Sequence, residues 1–221
     1  RWRVDVAEDA TAFFFTYFDG GDNLVEGTGP LTFVGAGDIR FAGFGGGGEQ
    51  NLTVGSTRED AEPIRFGNGG KIVLGGMVGV DSTINPTIFH KNVVFGDSLK
   101  EIELYCTAKF VDVDLNLPSV TSLNATMGVL SGTGSVTFGS GDRDATVTGA
   151  AFPTDSELAV KKVGTGALTL SKTMPYLPAT AVEGGTVRIC GSFSSAGLTL
   201  SAGTSVVLDG GNWTIDGVQL T

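Results

Sequence analysis

Two pairs of carboxylates have the spacing to do chemistry: Asp112 with Asp114, and Glu101 with Glu103. Two residues apart on a strand, the members of a pair leave the same face about 7 Å apart. That separation suits the acid and base of a glycosidase or the ligands of a calcium ion. No basic or aromatic cluster accompanies either pair to grip a sugar. Acids that alternate with apolar residues also serve simply to keep an outward strand face soluble, and that is the plainer expectation for all four.

The remaining reactive side chains are few. His90 is the sole histidine, and no GxSxG surrounds a serine, so a nucleophilic triad has no anchor. Cys106 and Cys190 are the only cysteines and neither belongs to a CxxC, which argues against a metal or redox role. If the chain winds regularly, several turns separate them, beyond the roughly 7 Å that a disulfide can bridge between Cα atoms. Two free, buried thiols are expected, with a bridge as the alternative. Gly45 to Leu52 has the frame of a calcium-binding nonapeptide but puts Gln50 where a carboxylate belongs, and Gly139 to Asp144 puts Arg143 there. No glycine tract continues as a phosphate loop. No catalytic, cofactor or metal residue is assigned. Trp2, Tyr17, Tyr176 and Trp213 could stack on a glycan, although core or cap packing is the plainer expectation for them. Asn51, Asn124 and Asn212 begin Asn-x-Thr sequons.

The elements that carry these residues are strands. Of the 221 residues 35 are glycine and 17% are charged, and 41% are hydrophobic. This composition is rich in turns, yet the apolar residues alternate as in half-buried strands rather than thinning out as in a disordered chain. The net charge of −10 and a pI near 4.4 argue against nucleic acid as a partner, whose backbone asks for a basic surface. No apolar run reaches the 18 or so residues of a membrane-spanning helix.

Short alternating segments bounded by glycine recur along the chain: Leu31–Val34, Ile39–Phe41, Leu52–Val54, Ile64–Leu74 and Asn85–Phe95. The longest runs from Leu99 to Leu117, with Ile102, Leu104 and Cys106 opposed to Glu101, Glu103 and Tyr105. Farther along it, Val111, Val113, Leu115 and Leu117 are opposed to Asp112, Asp114 and Asn116. Residues 1–24, which include the run Phe13-Phe14-Phe15, read as a candidate N-terminal cap, either a short helix or a doubly buried strand. Phenylalanine is concentrated before position 111, which implies a wider core in the first half. The repeats share a grammar but differ in length, as in a solenoid and unlike a propeller. A single domain over 1–221 is expected, built as an all-β, right-handed parallel β-helix, with a β-sandwich as the alternative. Alternating strand persists up to Thr221, which fits a segment of a longer exported protein.

Residues 157–189 hold the clearest repeat unit. Gly164-Thr165-Gly166-Ala167-Leu168-Thr169-Leu170 leads a strand from a glycine turn, followed at fixed spacing by Tyr176, Thr180, Val182 and Gly185-Thr186-Val187. This order resembles the autotransporter-associated β-strand repeat, with Lys172, Met174 and Pro178 in place of that pattern's usual loop residues. The resemblance implies a β-helical stalk on, or shed from, a bacterial surface. Its role would be display, adhesion or matrix building, non-enzymatic and without cofactors. A host or matrix surface ligand is the partner it suggests, and the uncapped strand edges add self-association through the solenoid ends. The alternatives are a polysaccharide-acting enzyme using Asp112 and Asp114, and a glycan-binding module.

Overall fold

The computed structural model describes residues 2–8, 11–16, 23–25, 31–43, 52–55, 63–67, 69–74, 87–90, 93–95, 99–105, 107–126, 128–149, 151–171 and 174–221. Among them there is no helix, and every strand pairing is parallel. The chain is a right-handed parallel β-helix.

The first turns are three-sided. They comprise β1 (Trp2–Val6), β2 (Thr11–Thr16) and β3 (Asn23–Val25), then β4 (Leu31–Gly35), β5 (Asp38–Gly43) and β6 (Leu52–Val54), then β7 (Ile64–Phe66), β8 (Lys71–Leu74) and β9 (Thr87–His90). β10 (Val93–Phe95) closes the first side, followed by β11 (Glu101–Leu104) and β12 (Ala108–Leu117). The middle turns have two sides: β13 (Ser122–Ala125) with β14 (Leu130–Phe138), and β15 (Ala145–Gly149) with β16 (Glu157–Lys162). The three-sided form then returns in β17 (Ala167–Leu170), β18 (Tyr176–Leu177) and β19 (Thr180–Val182). It continues through β20 (Thr186–Cys190), β21 (Phe193–Ser195) and β22 (Leu198–Leu200), then β23 (Ser205–Asp209), β24 (Trp213–Ile215) and β25 (Val218–Leu220).

Two sheets run the length of the rod, each of nine strands, one from β2 to β23 and the other from β3 to β25. At the usual strand spacing nine rungs make a rod about 40 Å long. A four-stranded sheet, β1-β4-β7-β10, forms the third wall early on, and a three-stranded one, β18-β21-β24, forms it late. The early wall lies on the connection from the second long sheet back to the first. The late wall lies on the opposite connection. Of residues 1–24, expected as a cap, the described ones lie in or beside β1, β2 and β3, strands of the first turn paired in register with β4, β5 and β6.

One apolar residue per rung stacks in an unbroken column through the first long sheet: Ala12, Ile39, Ile72, Ile102, Leu123, Val147, Leu170, Ile189 and Leu208. Each such side chain is worth roughly 1.5–3 kcal/mol on full burial, and only its neighbours above and below can bury it. Turns shorten along the rod: Asp38 meets Lys71 33 positions on, whereas Thr186 meets Ser205 19 positions on. The longer turns enclose more volume, and phenylalanine fills it. Phe33 and Phe66 stack at 4.9 Å, Phe66 and Phe95 at 5.3 Å, and Phe89 and Phe110 at 5.3 Å.

The clearest repeat unit, residues 157–189, spans more than one turn: within it β17 and β20 pair with each other as the same side of successive turns, Leu168 against Val187 and Leu170 against Ile189.

Candidate functional site

The long outer face that carries Asp112 and Asp114 is interrupted by a bulge. Phe110 pairs with Gly132 and Val113 with Gly134, so Val111 and Asp112 together face the single residue Thr133. Two against one breaks the alternation. Ala108 and Phe110 point inward, and so do Val113, Leu115 and Leu117, while Val111 is only half buried. The expected inward place of Val111 is therefore corrected by the extra residue. Asp112 takes φ 55°, the left-handed region where aspartate is among the few tolerated side chains.

Opposite the bulge the chain needs glycine. Gly132 and Gly134 have φ of 103° and 111°, and a Cβ on either would lie 1.9 or 2.2 Å from a β12 carbonyl oxygen. The Asp112 N–H donates to Thr133 Oγ1 at 3.0 Å, and that hydroxyl donates to the Asp112 carboxylate at 3.0 Å. One rung position on, Ser135 Oγ donates to Asp114 at 2.7 Å. The two aspartates thus share an exposed face but are held by separate hydroxyls.

Beside the bulge lies a cleft of about 380 Å³ lined by Lys109, Ser131, Gly132, Thr133, Asp155 and Glu157. Its residues come from three successive turns, with Thr133 and Glu157 paired in register. The side chains of Lys109, Asp155 and Glu157 are exposed and make no ion pair or hydrogen bond with a described residue. The sequence singled out only the aspartates at its margin. A shift of 21 to 24 residues, the local turn length, brings the other members into line.

A second, more apolar hollow of about 440 Å³ lies on the same face nearer the C-terminal end. Its floor is the column Ser135, Ala159, Ala179 and Gly197, small residues flanked by Lys161, Thr199 and Gln219. Inside the rod behind it, Lys162 is 1% exposed. Its ammonium donates to the carbonyls of Val163 at 2.6 Å, Gly164 at 3.0 Å and Gly184 at 3.4 Å. Burial holds its pKa below the ordinary lysine value, with a weak opposing pull from Asp144.

The other acidic pair is divided. Glu101 is exposed, whereas Glu103 accepts from Lys71 at 2.8 Å and from the Tyr105 hydroxyl at 2.6 Å. That hydrogen bond raises the Lys71 pKa against the effect of burial. The structure does not bring Asp112 or Asp114 together with Glu101 or Glu103, which lie on the other long sheet. His90 is half buried on β9 and sits in register with Val111.

Cys190 is a free thiol, half buried on the outward side next to Ile189, not enclosed as expected. Its alternation with the inward Ile189 turns it out. Cys106 lies outside the described residues. Among the described residues no three His, Cys, Asp or Glu side chains are placed to hold a metal ion. In the Gly139–Asp144 loop, Asp144 accepts from the Ala167 N–H at 2.7 Å. The Gly45-containing stretch lies outside the described residues up to its last member, Leu52.

Tyr176 packs partly buried against the core. Trp213 is 43% exposed over Phe193, its indole N–H donating to Gly191 and Gly210 carbonyls. The side chain of Trp2, and all of Tyr17, fall outside what is described. Asn124 accepts from the N–H and hydroxyl of Thr126, and Asn212 is exposed. Asn51 is not among the described residues.

The molecule is thus a parallel β-solenoid with a polar cleft at a bulge on one long face. Comparison with protein-family models, curated proteins and solved structures finds no match to this chain.

Proposed function

We propose that the chain is a non-enzymatic structural and adhesive scaffold, extracellular or on a bacterial cell surface, that associates end to end and presents a long face to a host or matrix ligand. The observation that carries this reading is the continuous apolar column through nine rungs. A parallel stack of this kind is stiff along its axis and holds its outer faces in a fixed array. The likeness of Gly164–Val187 to the autotransporter-associated repeat favours the surface setting.

Self-association is supported by the way rung adds to rung along the axis in parallel register, as Leu198 against Val218 and Leu200 against Leu220. Strand edges in such a stack template further pairing. Sedimentation velocity over a hundredfold range of concentration tests it. The parent chain is expected to form species that lengthen with concentration, and Val218→Asp with Leu220→Asp to remain at the smallest species. A parent chain that sediments as one species throughout would overturn the end-to-end reading. Release of reducing sugar from acidic or neutral glycans would overturn the non-enzymatic one.

A further inference from the structure

The cleft beside the β12 bulge is built for a ligand that brings both donors and acceptors. Lys109 stands on one side, Asp155 and Glu157 on the other, and the hydroxyl-bearing Ser131 and Thr133 between them. Groups of opposite charge line one cavity without closing on each other as an ion pair. The Thr133 hydroxyl is fixed in direction by Asp112, and Gly132 leaves the floor bare where a side chain cannot fit. The cleft's roughly 380 Å³ is at the small end of ligand sites.

The geometry points to this cleft as a binding site for an amino-sugar unit of a glycan. The sugar's ammonium would lie against Asp155 and Glu157, and its ring hydroxyls would bond Lys109, Ser131 and Thr133. Two carboxylates against one ammonium favour a cationic ligand over an acidic one, and the chain's net charge of −10 acts in the same direction at longer range. Phosphate and carboxylate polymers are disfavoured by the same excess. A peptide could not add as an edge strand, because β12, β14 and β16 each lie between two neighbours within the nine-stranded sheet. This assignment deepens the adhesive part of the scaffold reading and rests on it.

The test is titration calorimetry of the whole chain with three probes: fully deacetylated chitohexaose, N-acetylated chitohexaose and hexagalacturonate. The deacetylated oligomer is expected to bind, the acetylated one at least about tenfold more weakly, and the galacturonate not at all. Glu157→Gln should weaken the deacetylated oligomer about tenfold or more, in line with losing one charge-assisted contact. Lys109→Met should weaken it less, and Asp209→Asn, on another face, should leave it unchanged. Unaltered melting confirms that each variant is folded. No binding of the deacetylated oligomer, equal binding of all three, or binding indifferent to Glu157→Gln overturns the assignment. Should binding fail while the chain still associates end to end, the ligand falls and the scaffold reading stands.

Discussion

Replacing Lys162 by Met would remove the one ammonium enclosed in the rod's interior among the described residues while keeping the length of its stem. Three carbonyls, those of Val163, Gly164 and Gly184, would lose their donor at distances of 2.6 to 3.4 Å. Leaving buried acceptors without a partner costs about 1–3 kcal/mol each at most. Relief of the buried charge offsets part of that. We expect a net loss of about 2 kcal/mol at neutral pH, or roughly 4–8 °C in Tm for a chain of this size. The pH dependence carries a second signature. The Lys162 pKa is lowered from 10.5 by burial. The folded state therefore binds that proton less readily than the unfolded chain. The resulting penalty is full below the folded pKa and shrinks as pH rises through it toward 10.5. The parent should gain stability relative to Lys162→Met across that window. Thermal melts of both proteins between pH 7 and 10.5, followed by circular dichroism, measure the difference. If the two melt alike at every pH, the carbonyl cage contributes nothing and the reasoning is wrong.

Other consequences can be checked in the same assay. Lys71 has a raised pKa through its hydrogen bond to Glu103, so its contribution is present below 10.5 and is lost as pH climbs through the higher folded value; Glu103→Gln should flatten that alkaline loss. Gly132→Ala would set a Cβ 1.9 Å from the Phe110 oxygen and should cost well over about 2 kcal/mol. Gly203→Ala, at φ 80° with open space around it, should cost only the left-handed penalty of about 1–2 kcal/mol. Equal melting of those two variants would contradict the close rung-to-rung approach. Phe66→Ala, in the middle of the stack with Phe33 and Phe95, should cost about 3–5 kcal/mol. Amide exchange should report that loss in the early turns before the late ones.

Much of the architecture is written in local pattern. Glu101 to Leu104 and Ser122 to Ala125 alternate strictly, and the structure buries the apolar member each time. The long column from Ala12 to Leu208 follows from one apolar residue per turn. The bulge is different. Val111-Asp112-Val113-Asp114 alternates without a break, so nothing local marks the added residue; the signal lies on the next turn, in glycines 132 and 134. Lys162 is hidden for a related reason. Lys161 and Lys162 are adjacent and identical in type, and only the inward phase of Leu158 and Val160 decides which one enters. The cleft was out of reach because Lys109, Thr133 and Glu157 become neighbours only once the turn length is known.

The stacking register is the claim on which the scaffold, the cleft and the cage all depend, and paired cysteines test it directly. In a chain carrying Cys106→Ser and Cys190→Ser, Thr169→Cys with Arg188→Cys places thiols on adjacent rungs, and Thr169→Cys with Val207→Cys places them two rungs apart. Adjacent strands lie about 4.8 Å apart, inside the roughly 7 Å limit for a disulfide, and alternate ones about 9.6 Å, outside it. The account predicts rapid oxidation of the first pair and none of the second; equal oxidation of both, or of the second alone, would contradict it.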